Sequence, residues 1–91
     1  VGRDVLDRAL VDLAALFRDA LLRSMGATVT PMHPDKTDSI TNGMASYAGP
    51  EQLLRCVDAV LDCREALDRN VKPKFAVDAM VGRINLEMRR G

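Results

Sequence analysis

Ninety-one residues make one small domain, and a domain of that size buries only about 60–65% of the surface its unfolded chain exposes. Hydrophobic residues are 47% of the chain, which excludes intrinsic disorder, and the 29% of charged residues cancel to a net charge of zero. That balance argues against a domain that grips nucleic acid over its whole surface.

The charge is nevertheless uneven. Glu51 to Asp68 holds five acids and two arginines, whereas Asn70 to Gly91 holds five cations and two acids. Two neighbouring helices that complement each other would give this pattern; a basic tail facing a partner is the other reading. Charges interrupt every apolar stretch, so no membrane span is expected. There is no recognisable signal peptide, and the chain starts on an amphipathic segment without Met. It reads as a piece of a longer, cytoplasmic protein.

The first predicted helix runs from Asp4 to Met25. Leu6, Leu10, Leu13, Phe17 and Leu21 recur at helical spacing and form one apolar stripe, with Phe17 as its central anchor. Ala9, Leu16 and Ala20 flank the stripe and allow another helix to approach. Asp19 and Arg23 are spaced as a helical ion pair. Gly26 supplies the left-handed stop.

Residues 27–36 read as a loop, because Pro31 and Pro34 forbid regular helix there. Val29 and Met32 are candidates to dip into the core. His33 reads as a surface histidine, with no candidate nucleophile near it in sequence. A short second helix is expected from Asp38 to Tyr47, with Ile40, Met44 and Tyr47 on its apolar face and Asp35, Thr37 or Asp38 as its cap. Gly43 weakens that helix by about 1 kcal/mol relative to alanine.

Gly49-Pro50 opens the third predicted helix, Pro50 to Arg69, and Asn70 closes it. Glu51–Arg55 and Glu65–Arg69 are spaced as surface ion pairs. Cys56 and Cys63 lie on one face with Val60 and Leu67. Two helical turns separate them by about 10 Å, too far for a disulfide. They read as reduced, buried thiols. The apolar arc of this helix is wide. Leu53, Val57 and Val60 form one side and Leu54 and Leu61 the other, and the excess is either core or interface.

After a short link, Pro73 starts the fourth predicted helix, which fades near Met88 and leaves Arg89 to Gly91 frayed. Val77, Met80, Val81 and Ile84 are its expected inner stripe, with Phe75 and Ala76 near the start. Helices three and four then form an αα-hairpin. No stretch alternates like a strand, so the expected fold class is all-α, a bundle of four or five helices in a single domain. The candidate core and assembly residues are Phe17, Leu53, Leu54, Val57, Val60, Leu61, Met80, Val81 and Ile84.

Familiar chemistry is missing. The sequence has neither GxxxxGK[ST] nor GxGxxG, and no serine or cysteine sits in a nucleophile motif. Its carboxylates are scattered on predicted helix exteriors. The two cysteines lack metal-site spacing, and His33 is the sole further soft ligand. One tyrosine, two phenylalanines and no tryptophan make no stacking platform for single strands. The fourth helix is too apolar to read a DNA groove. No catalytic residue, cofactor, metal or small-molecule ligand is expected, and function is sought in what the helices pack against.

Two segments carry a family resemblance. Leu16-Phe17-Arg18-Asp19-Ala20-Leu21-Leu22 looks like the aromatic–Arg–Asp–apolar signature of the first collar helix in bacterial clamp-loader subunits, and Pro34-Asp35 follows it as there. Ala66-Leu67-Asp68-Arg69-Asn70-Val71-Lys72-Pro73 and the helix after it resemble the pattern that ends those collars. Asp78 stands where glutamate is commoner, and Gly43 interrupts the second helix. Over most of its length the chain is similar to the C-terminal domain of DNA polymerase III delta-prime subunits of actinobacterial type; tau/gamma and delta subunits share the architecture.

The resemblance implies a non-catalytic oligomerisation domain. In that family the C-terminal domains form a collar that joins the subunits placing the sliding clamp on primed DNA. AAA+ modules, not part of this chain, precede the collar, and delta-prime is not an ATPase. The implied partners are delta and tau/gamma, met through helix surfaces, with no DNA contact by this domain. A freestanding helical adaptor or regulator is the alternative reading.

Overall fold

A computed structural model describes residues 2–26, 43–45 and 48–89. Three long helices hold the described part together: α1 (Arg3–Ser24), α2 (Pro50–Asp68) and α3 (Pro73–Arg89). Residues 43–45 are also helical, and no strand occurs among the described residues. The chain is an all-α helical bundle. The expected loop of residues 27–36 lies outside the described residues. So does most of the expected second helix, with Ile40 and Tyr47, and so do Arg90 and Gly91.

The helix ends follow from local chemistry. Gly26 takes φ 82 just past α1, and its N–H donates to the Arg23 carbonyl at 3.0 Å. Asn70 takes φ 67 after α2, where the Asn70 N–H donates to the Leu67 carbonyl and the Val71 N–H to the Ala66 carbonyl. This pair of bonds satisfies carbonyls that α2 leaves open and turns the chain sharply. At the start of α2 the Gly49 N–H donates to Gln52 Oε1 at 2.6 Å, and Pro50 occupies the first turn.

Ion pairs fix the helix directions. Arg3 meets Asp68 and Asp7 meets Arg64, so α1 runs antiparallel to α2. Arg83 meets Asp62 and Glu87 meets Arg55, so α3 is antiparallel to α2 as well. The central helix is therefore α2, with α1 and α3 packed on it. It supplies Leu53, Cys56, Ala59, Val60, Cys63 and Leu67 to the core. Around them sit Leu10, Phe17 and Ala20 of α1, Ala48, and Ala76 and Met80 of α3. Alanine and cysteine at so many of these positions let the helix backbones approach closely.

Some expectations change. Val81 is 45% exposed and not part of the inner stripe. The inner side of α3 is built from Ala76 and Met80 with half-buried Val77, Ile84 and Met88, and one helical step beyond Met80 carries Val81 off the contact. Ala9 faces solvent, while Ala14 and Ala20 lie on the packed side of α1. Nor do all carboxylates lie on helix exteriors: Asp19 and Glu87 are both buried.

Candidate functional site

Polar side chains join the helices at both ends. Glu87, near the end of α3, sits 3.6 Å from the Arg55 guanidinium, while Gln52 Nε2 donates to the Glu87 backbone carbonyl at 3.3 Å. These contacts tie the end of α3 to the beginning of α2. At the opposite end, Arg64 grips Asp7 with two hydrogen bonds, Nε to Oδ1 at 2.8 Å and Nη2 to Oδ2 at 3.3 Å. The Arg64 fork holds the Asp7 carboxyl below its usual range. Arg3 Nη2 reaches the Leu67 carbonyl at 2.6 Å and helps fasten α1 over the C-terminal turn of α2.

The thiols are poor nucleophiles. Cys56 and Cys63 are free and buried. Burial pushes both thiols up from their ordinary value, and the negative charge of Glu87 adds to the effect at Cys56. A reactive cysteine needs the opposite environment, one that favours thiolate. Among the described residues no group of three His, Cys, Asp or Glu side chains is placed to hold a metal ion. An open cleft of about 460 Å³ lies where α1 begins beside the α2–α3 turn, walled by Leu6, Leu67, Val71 and Pro73 with Arg3 at its edge. Asn70 and Lys72 line it too, and Arg3 is already committed there to the Leu67 carbonyl and Asp68.

What the structure presents instead is an apolar helix surface. On α3, Phe75, Ala79, Gly82 and Leu86 are all exposed, Phe75 to 61% and Leu86 to 54%. Their spacing of four, three and four residues is that of a seam that receives another helix. On α2, Leu54 and Leu61, two turns apart, are exposed as well. The exposed ion pair of Arg83 Nη1 with Asp62 Oδ2, at 2.7 Å, bridges the two helices beside both rows. Asp58 lies between Leu54 and Leu61 on the α2 row and has no ion-pair partner among the described residues.

The nine candidate residues thus separate. Phe17, Leu53, Val60 and Met80 are core, and Val57 and Ile84 pack against the core half-buried. Leu54, Leu61 and Val81 are exposed. The open question about the wide arc of α2 is answered position by position: Leu53 and Val60 turn inward, and Leu54 and Leu61 turn outward. Sequence reasoning missed Ala79, Gly82 and Leu86. The four-three-four spacing from Phe75 was their signal, overlaid on the inner stripe of the same helix.

No helix among the described residues is long and apolar enough to cross a membrane. No protein-family model, curated protein or solved structure matches the chain.

Proposed function

We propose that this domain is a non-catalytic assembly module, the collar-type domain of a DNA polymerase III clamp-loader subunit of the delta-prime kind. It joins delta and tau/gamma subunits through helix surfaces. The observation that carries the reading is the pair of exposed apolar rows on α2 and α3, on a molecule whose polar side chains serve as joints between helices.

The residues behind the family resemblance occupy structural joints, which supports the same reading. Phe17 and Asp19 are buried on α1, Asn70 makes the left-handed turn after α2, and Pro73 begins α3. Two buried free thiols suit a reducing compartment such as the cytoplasm.

The test is deletion. The parent chain without this domain is co-produced with delta and tau/gamma subunits and analysed by size-exclusion chromatography with light scattering. Loss of the complex, with the remaining part still folded by circular dichroism, is the expected outcome. Normal assembly at micromolar concentration would overturn the proposal.

A further inference from the structure

We draw no further inference here: the strongest candidate, the open cleft where α1 begins beside the α2–α3 turn, adds to its apolar walls an Arg3 already held by the Leu67 carbonyl and Asp68 and the exposed Asn70 and Lys72, and nothing in the structure shows what covers it.

Discussion

Replacing Phe17 with alanine tests the packing directly, because the chain carries its own control. Phe17 is 4% exposed in the middle of α1, and Phe75, the only other phenylalanine, is 61% exposed near the start of α3. Deleting a fully buried phenyl ring costs about 3–5 kcal/mol, the lost transfer energy plus that of the cavity left behind. A domain of 91 residues has in all about 5–14 kcal/mol of stability. Phe17→Ala should therefore remove a large share of it. At about 4–8 °C per kcal/mol for domains of this size, the melting temperature should fall by at least about 12 °C. Phe75→Ala removes an equal volume from a largely solvated site and should change stability by no more than about 0.5 kcal/mol. Urea unfolding followed by circular dichroism at 222 nm measures both variants, with an unchanged slope as the sign of an unchanged unfolded state. Equal shifts for the two variants, or a larger one for Phe75→Ala, would refute the assignment of Phe17 to the core and of Phe75 to the surface.

Other consequences follow from the same contacts. Cys56 and Cys63 should resist labelling by a bulky thiol reagent in native buffer and react fully in denaturant; rapid native labelling of both would contradict their burial. Because their folded-state pKa values are raised, the folded state holds their protons more tightly, so this contribution is present below the ordinary thiol pKa of 9.0 and lost as pH rises beyond it. Double replacement of both cysteines by alanine should flatten the alkaline part of the stability profile. Asp7 has the opposite sign. Its folded-state pKa is depressed by Arg64, so its contribution is present above the ordinary carboxyl pKa of 3.8 and disappears as pH falls through the folded value. The stability difference between wild type and Asp7→Asn should shrink between pH 6 and pH 2, and a constant difference would dissociate Asp7 from the effect.

Much of the fold was legible because helices announce their ends. Pro50, Asn70 and Pro73 each impose a backbone constraint that operates whatever the rest of the chain does, and the observed bounds of α2 and α3 follow them closely. The charge pattern was legible only in part: Asp62 of α2 meets Arg83 of α3, but the second ion pair between these helices, Arg55 with Glu87, has the opposite polarity. Periodicity alone leaves the direction of an apolar row undetermined when one helix carries two. On α3, Val81 had the spacing of an inner residue and points outward, while Phe75 and Leu86 belong to a second row whose angle matters only once α2 is in place. Glu87 was illegible for a related reason. A glutamate near a helix end reads as solvated, and only the fold brings Arg55 from the other helix beside it.

Salt separates the proposed subunit contact from the competing idea that the basic stretch holds DNA. The described cations after the α2–α3 turn are Lys72, Lys74, Arg83 and Arg89, and Arg83 is already paired with Asp62. If all four neutralised phosphates, the logarithm of the binding constant would fall with a slope of about −3.6 against that of salt, and a rise from 50 to 200 mM would weaken binding by about 150-fold. A contact between apolar helix surfaces behaves differently. Burial of Phe75, Leu86, Leu54 and Leu61 does not depend on dissolved ions at these concentrations. Capture of the parent chain by tau/gamma subunit should therefore change by less than about threefold over the same range. Fluorescence anisotropy with a labelled primed duplex gives the companion measurement on this chain, where no saturable binding is expected at 150 mM salt. A hundredfold loss of subunit capture, or tight duplex binding that Lys72→Glu and Lys74→Glu abolish, would move the function from the apolar face to the cations of the α3 region.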